Sequence, residues 1–249
     1  MENTIKIREC TTLDELAECV ELQREVFALP EVELSPVRHF VVTRNAGGFT
    51  LGAYDGERLA GYVLSVPAFL RGEKAFYSHM TGVRQEYQST GIGRRLKWAQ
   101  RERALELGVK FIKWTFEPVK ARNGYFNLEK LGAIVTEYER NFYGTDYAVS
   151  PESGKQIGLQ SDRLFAEWHL ESDKVKALAA GETWSETRAP EAEIAVRNDW
   201  SELVANDPAA ALELQLRVRA DFESAIGRGL HAAAFKRDDV EPKYLMFSN

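Results

Sequence analysis

Two glycines separated by one residue, Gly91 and Gly93, lie where a strand-like segment gives way to a helical pattern. Glycine lets the backbone approach a ligand closely, and the first amides of a helix have no intrahelical partner. Those amides and the positive end of the helix dipole favour an anion. The next turns of the helix carry Arg94, Arg95 and Lys97, which add positive charge. This stretch is therefore predicted to cradle a phosphate-like group.

The spacing of the glycines is not that of two common nucleotide-binding motifs. A dinucleotide fingerprint needs a third glycine, and a P-loop needs a following Lys-Ser/Thr pair. A different pattern is present: Val83 ends the strand, and Gln88, Gly91 and Gly93 fit Gln/Arg-x-x-Gly-x-Gly/Ala at the start of the helix. This arrangement resembles the acetyl-CoA site of the GCN5-related N-acetyltransferases (GNAT).

The resemblance implies how an acyl-CoA co-substrate, first of all acetyl-CoA, would be held. Backbone groups of the strand would pair with the pantetheine arm, and amides of the glycine turn would bind the pyrophosphate. The implied cofactor-binding residues are Thr81, Gly82, Val83, Gln88, Ser89, Thr90, Gly91, Ile92, Gly93, Arg94 and Asn123. No metal is implied.

Transfer of the acyl group requires the amine to lose a proton. An alkyl amine with a pKa of about 10.4 costs about 4.6 kcal/mol to deprotonate at pH 7, so a lysine-like acceptor depends on a general base. His79 is the first candidate, because one branch of the resembled family carries a histidine on this strand. The alternative is a histidine that only hydrogen-bonds in the core. Tyr77, two residues earlier, is expected on the same face of the strand.

Glu117 is the third catalytic candidate, because it follows the next predicted strand at the edge expected to face the cofactor. It would act as a base or as a clamp for the acceptor, and the alternative is a solvated turn carboxylate. Arg122 and Arg163 could hold an acceptor carboxylate through bidentate contacts.

One catalytic residue of the family is missing. Many relatives carry Asn-x-x-Ala-x-x-x-Tyr-x-x-x-Gly, in which the tyrosine protonates the departing thiolate. Alignment on Gly132 places Leu128 at the tyrosine position and Ala121 at the asparagine position. Three polar residues lie nearby but out of register, namely Asn123, Tyr125 and Asn127. A CoA thiolate, whose thiol has a pKa of about 8.5, could leave without a strong acid.

The order of predicted elements is that of the GNAT fold, an α/β fold with a mixed, mostly antiparallel sheet flanked by helices. Strands are predicted at 5–8, 49–54, 59–69, 74–83, 109–116, 134–143 and 163–170, and helices at 12–29, 93–107 and 121–131. Thr12 and Glu15 form a capping-box pattern at the first helix, and Asp55-Gly56 is a hairpin signal between the second and third strands. The pattern assigns no regular element to residues 31–45.

Residues 5–170 are predicted to form the acetyltransferase domain, and residues 171–249 a C-terminal extension packed on or beside it. The extension is expected to contain a short helix at 172–180, a polar linker at 181–190, a strand at 194–197, a helix from Asp207-Pro208 to Gly227, and a hairpin of 232–235 and 243–247. Its sequence carries no recognisable chemistry.

Composition limits the partners and the location. The chain is 44% hydrophobic and 28% charged, as in ordinary globular proteins. Three features favour the cytoplasm: no apolar run near the ~20 residues that span a bilayer, no signal-peptide pattern, and two cysteines, Cys10 and Cys19, expected to be reduced. A net charge of −6 and the lack of a basic tract argue against nucleic acid. The expected partner is a small-molecule amine, with homodimerisation left open.

The sequence thus predicts an N-acyltransferase in which an amine directly attacks acetyl-CoA. A donor such as succinyl-CoA, acting on amino acids, is the first alternative. A non-catalytic CoA-binding sensor or scaffold is the second, because the family's tyrosine is absent.

Overall fold

The computed structural model describes residues 5–27, 31–144 and 159–248. Within them the contacts define two compact units. The first unit contains the described residues through Lys113 together with His169–Glu171, and the second contains those of Trp114–Trp168 and of the chain from Ser172 onward. The predicted boundary at residue 170 remains a prediction, and the two units divide the chain at other places, one of them inside the fifth strand.

The first unit is built on an antiparallel ladder of four strands with one parallel strand added. Its elements are β1 (Lys6–Glu9), α1 (Leu13–Phe27), α2 (Val37–Asn45), β2 (Phe49–Asp55), β3 (Arg58–Leu70), β4 (Glu73–Val83), α3 (Ile92–Glu106) and the start of β5 (Phe111–Phe116). The strands follow one another in sequence order from β1 to β5, and β5 runs parallel to β4. The Gly56-Glu57 turn between β2 and β3 confirms the predicted hairpin.

Helix α1 begins at the predicted capping box. The Glu15 amide donates to Thr12 Oγ1 at 3.2 Å, and the Thr12 amide donates to Glu15 Oε2 at 3.0 Å. Helix α2 was not predicted. Its N-cap is Pro36, which offers no side-chain cap, and β-branched residues lower its helical propensity. Burial of Phe40 and Thr43 holds this helix in place.

The core of the first unit lies between its sheet and the helices α1 and α2. Fully buried residues of this core include Leu22, Phe40, Tyr62 and Leu64. Cys10 and Cys19 are buried free thiols, as predicted.

The second unit contains an antiparallel sheet in the order β7-β6-β9-β10-β8. Its elements are α4 (Ala121–Tyr125), a π-helical turn (Phe126–Lys130), β6 (Ile134–Glu139), β7 (Arg163–His169), α5 (Asp173–Ala179), β8 (Ala192–Ala195), α6 (Trp200–Asn206), α7 (Pro208–Gly227), β9 (His231–Lys236) and β10 (Lys243–Phe247). The long helix α7 and the closing hairpin of β9 and β10 confirm the predictions, whereas α6 was not predicted.

Two contacts tie the last third of the chain to the rest of the second unit. A Cβ on Gly124 of α4 would lie 2.6 Å from Phe235 of β9 and 2.8 Å from Tyr244 of β10, so the helix rests directly on these rings. The buried Asp162 carboxylate accepts from Arg219 of α7 at 2.9 Å and from the hydroxyl of Tyr138. Residues on both sides of position 170 therefore share one core within this unit.

Candidate active site

Strand β4 pairs with β3 along its whole length and, within the first unit, with the start of β5. The register with β3 runs to Val83, opposite Gly61. Within this unit β5 pairs with β4 at Phe76 and Tyr77, opposite Ile112 and Lys113. Strand β4 thus leads from the sheet directly into the turn that follows Val83.

His79 is the additional residue of a β-bulge. Ser78 lies opposite Ser65 and Met80 lies opposite Leu64, so His79 has no partner residue of its own on β3. Bulges re-aim side chains and are common beside active sites. Tyr77 lies opposite Val66, which packs with Met80 on the core cluster that contains Phe40 of α2. The His79 ring also faces α2, so Tyr77 and His79 lie on the same side of β4.

Two groups surround the His79 imidazole. Its Nε2 lies 3.1 Å from Ser35 Oγ, and its ring centroid lies 5.5 Å from that of His39. Burial lowers the pKa of His79, and the charge of His39 lowers it further. His79 is therefore neutral at pH 7, the state that can accept a proton. The Nε2 atom of His39 is also buried and has no hydrogen-bond partner among the described residues.

The turn between β4 and α3 has the geometry of an anion cradle. Gly91 adopts φ +89° at the N-cap of α3, and Ser89 adopts φ +65°. The first amide to bond within this helix is that of Arg95, which donates to the Gly91 carbonyl at 3.0 Å. The amides of Ile92, Gly93 and Arg94 precede this bond and point out of the helix start.

Side chains brace this turn. Gln88 Nε2 donates to the Val83 carbonyl at 3.1 Å, and Thr90 Oγ1 donates to the Tyr87 carbonyl at 2.6 Å. A Cβ on Gly93 would lie 3.7 Å from Val83 Cγ2, so the start of α3 packs next to the end of β4. The predicted set from Thr81 to Arg94 is therefore contiguous in space.

The predicted positive charge at the start of α3 is only partly correct. Lys97 is 2% exposed, and its Nζ lies 3.0 Å from Ser78 Oγ and 2.7 Å from Gln100 Oε1. Burial strongly lowers the pKa of this amine. Arg95 donates to the Ile5 carbonyl at 2.6 Å. Arg94 is exposed and forms no ion pair with the described residues, so it is the cation left for the cradle.

The remaining predicted residues lie in the second unit. Glu117 forms an ion pair with Lys120 at 2.7 Å. Asn123 lies on α4 and is half-buried. Arg163 donates to the Asp162 carbonyl at 2.8 Å and lies over the Tyr143 ring. Arg122 is exposed.

The position of the missing tyrosine is filled by a core residue. Leu128 is fully buried and lies in the π-helical turn. Asn127 accepts from Trp114 Nε1 at 3.2 Å. Tyr125 lies beside Lys130 and Arg237, and its hydrogen bonds with them, together with their charges, lower the pKa of its phenol. In the part of the chain that the structure describes, no cluster of three or more His, Cys, Asp or Glu side chains is arranged for a metal. No helix in that part could cross a membrane.

The sequence did not identify three residues of the His79 environment as site residues, namely Gln23, Ser35 and His39. Ser35 and His79 are 44 residues apart in sequence. A contact between residues so far apart in the chain cannot be predicted from a local sequence pattern.

The model of the acetyltransferase (GNAT) family matches residues 13–133 of the chain. No curated protein matches the chain at a significant level. An acetyltransferase structure from Acinetobacter baylyi has a TM-score of 0.52 and 17% identity, and the match covers 68% of this chain and 94% of that one.

Two further solved structures share the fold. The Escherichia coli ribosomal-protein-S18-alanine N-acetyltransferase has a TM-score of 0.51 and 14% identity, with 74% of this chain and 99% of that chain covered. A Bacillus subtilis acetyltransferase in complex with CoA has a TM-score of 0.50 and 19% identity, with 67% and 99% covered. At these identities the likeness establishes the fold, which confirms the predicted mixed sheet flanked by helices.

Proposed function

The chain belongs to the GNAT family of acetyltransferases through residues 13–133, and we propose that it transfers an acetyl group from acetyl-CoA to the primary amine of a small molecule or amino acid. The observation that carries this proposal is the placement of His79, whose pKa is lowered by burial, in a bulge of β4, the strand that leads into the anion cradle. Binding group and base thus lie on one strand–turn–helix unit.

The cradle would hold the co-substrate. The amides of Ile92, Gly93 and Arg94 fit the pyrophosphate, and the Arg94 guanidinium adds a cation. The backbone of Thr81, Gly82 and Val83, at the end of β4, would pair with the pantetheine amides. Gln88, Ser89, Thr90 and Gly91 shape the turn, and Asn123 is a further proposed contact to CoA. The CoA complex of the B. subtilis structure supports an acyl-CoA in this fold.

His79 is the proposed general base. The amine nitrogen attacks the thioester carbonyl carbon, and His79 takes the proton that the nitrogen loses. The new C–N bond forms, the C–S bond breaks, and CoA leaves as a thiolate that takes a proton from solvent. Both cysteines are buried, which favours direct attack over transfer through an enzyme thiol. Tyr77 is proposed to orient the acceptor. Glu117 ranks behind His79 as the base because Lys120 already pairs with it.

A second candidate function is supported by one observation. Leu128, fully buried at the position of the family's acid, cannot protonate a thiolate. A CoA-binding sensor without turnover would tolerate this residue. Within the enzyme proposal, succinyl-CoA or another acyl-CoA remains the alternative donor, with amino acids as its acceptors.

One experiment separates these functions. Purified protein is incubated with acetyl-CoA or succinyl-CoA and a pooled library of amines, and free thiol is measured. The enzyme predicts thiol release that requires an amine and falls by about 10²- to 10⁴-fold in His79→Gln, the usual range for general-base catalysis. Tight CoA binding without release for any donor and amine would establish the sensor instead. His169→Gln, which replaces an exposed histidine, is the matched control.

A further inference from the structure

Ser35 precedes α2 in the chain and lies against His79 of β4. Its hydroxyl oxygen is 3.1 Å from Nε2 of the imidazole. Ser35 is only 9% exposed, so water does not compete freely for this contact. The other ring nitrogen, Nδ1, makes no hydrogen bond to the residues that the structure describes and is not among their buried unsatisfied atoms. His79 therefore has one nitrogen held by the protein and one left accessible.

Ser35 is itself held by a single side chain of α1. Gln23 Oε1 accepts from the Ser35 amide at 2.9 Å, and Gln23 Nε2 donates to the Ser35 carbonyl at 3.1 Å. Gln23 is completely buried. A buried amide that satisfies both backbone groups of one residue fixes that residue strongly, because breaking the pair would leave polar groups unsatisfied. The position of the Ser35 hydroxyl is thus set from α1.

The contact bears on which nitrogen of His79 carries the proton. A neutral imidazole has one N–H donor and one lone-pair acceptor, and the Ser35 hydroxyl can accept from the first or donate to the second. If Nε2–H donates to Ser35 Oγ, the lone pair lies on the accessible Nδ1. In the opposite tautomer Nδ1 carries the hydrogen and cannot accept a proton. When His79 becomes charged, the Nε2–H···Oγ bond is kept and becomes charge-assisted, hence stronger.

We propose that Ser35, clamped by Gln23, is a positioning residue that keeps the His79 proton on Nε2 and leaves the Nδ1 lone pair to receive the proton of the acceptor amine. This inference rests on the proposed role of His79 as the base. His39 does not compete for the Ser35 contact, since its ring meets that of His79 edge-on at 5.5 Å.

The tautomer is measured directly by long-range ¹H–¹⁵N NMR of the imidazoles in the full-length protein. The chain has four histidines, and the His79→Gln variant assigns the His79 signals. We expect His79 in the wild-type protein to be protonated at Nε2 and unprotonated at Nδ1 at pH 7.5. In Ser35→Ala we expect signals averaged between the two tautomers or moved to the Nδ1–H form.

Kinetics provide the second readout. Ser35→Ala should lower kcat by about 10- to 100-fold, the range for loss of a hydrogen bond to a charged group, with the KM for acetyl-CoA unchanged. Ser35→Thr keeps the hydroxyl and should recover most of kcat. Ser65→Ala is the matched control, because it also removes a buried hydroxyl, one that accepts from Gln100 at 2.7 Å. It should leave the His79 tautomer unchanged.

The outcomes distinguish this inference from the proposed function. An Nδ1–H tautomer in the wild-type protein, or an unaltered tautomer and kcat in Ser35→Ala, overturns the role of Ser35 while His79 remains the base. Wild-type activity in His79→Gln overturns the base itself. CoA binding measured in every variant shows whether the protein is folded, so a loss of kcat with normal CoA affinity is a positioning effect.

Discussion

Ser35 Oγ and His79 Nε2 lie 3.1 Å apart although 44 residues separate them in the chain. The contact joins the segment before α2 to the bulge of β4. Because Gln23 of α1 fixes Ser35, three parts of the first unit, namely α1, the segment before α2, and β4, determine the orientation of one imidazole. The geometry of the proposed base therefore depends on helices that lie outside the signature turn.

The pH dependence of catalysis should report the His79 environment. Burial and the His39 charge place the pKa of His79 below its ordinary 6.5. A plot of log kcat/KM against pH should therefore bend at a midpoint below pH 6.5. Its slope should be one unit steeper below this midpoint than above it. His39→Gln removes the neighbouring charge, so this midpoint should move up toward 6.5 but not reach it, because burial remains. Pre-steady-state or steady-state rates with one alkyl amine measure the midpoint. The same midpoint in His39→Gln as in the wild-type protein would contradict an effect of the His39 charge on the pKa of His79.

The same shift affects stability. The folded state favours neutral His79, so the unfolded chain binds the proton more readily between the folded pKa and about 6.5. The stabilisation is fully present above about pH 6.5 and is lost as the pH falls through the folded pKa. Chemical unfolding of the wild-type protein and His79→Gln at several pH values tests this sign. The difference in unfolding free energy between the two should become more favourable to His79→Gln as the pH falls.

Gly91 should be required for CoA binding as well as for the backbone conformation of the turn. At φ +89°, Gly91→Ala forces an alanine into the left-handed region, which costs about 1–2 kcal/mol. Its Cβ would meet no protein atom within 4 Å and would project from the cradle turn into open space. Gly56→Ala is the matched control, with φ +61° and equally open space in the β2–β3 turn. Calorimetry should show weakened CoA binding in Gly91→Ala alone, while both variants lose similar stability.

Gly124→Ala should destabilise the second unit. The added methyl would lie 2.6 Å from the Phe235 ring and 2.8 Å from that of Tyr244, and overpacking of this kind costs about 1–3 kcal/mol. Gly227→Ala, at the end of α7, meets no atom within 4 Å and should be neutral or stabilising by up to about 1 kcal/mol. Urea unfolding compares the two variants. Equal stabilities would show that α4 moves away from the sheet without cost.

The ion pair of Arg219 with Asp162 should stabilise the folded state far more than that of Arg217 with Asp221, although both arginines lie on α7. Arg219→Met leaves the buried Asp162 carboxylate without its cation, which costs about 3–5 kcal/mol. Arg217→Met breaks an exposed pair and should cost no more than about 1 kcal/mol. Thermal and urea unfolding measure both. Similar losses of unfolding free energy in Arg219→Met and Arg217→Met would contradict the expectation that the buried ion pair contributes more to stability.

Local chemistry explains what the sequence predicted well. The capping box at Thr12 and Glu15, the glycine turn before β3, and Asp207 at the start of α7 each depend on residues a few positions apart. Helix α2 was missed because its signals are weak locally and burial of Phe40 decides the outcome.

The candidate site was also predicted only where it is formed by residues close together in the sequence. The cradle could be placed because its residues are contiguous in sequence. Lys97 was misplaced because its position on α3 faces the buried polar network of Ser78 and Gln100 rather than the turn. Ser35 and Gln23 depend on tertiary contacts, which a single sequence does not reveal.

The family match ends at residue 133, whereas the core around α4 closes only with β9 and β10. A fragment trimmed at that homology limit would lack Phe235 and Tyr244, the rings on which Gly124 rests, and Glu129 would lose the Phe235 amide that donates to it at 2.7 Å. Residues after 170 therefore form part of the scaffold that supports α4. Protein engineering on this chain should keep the two stretches together.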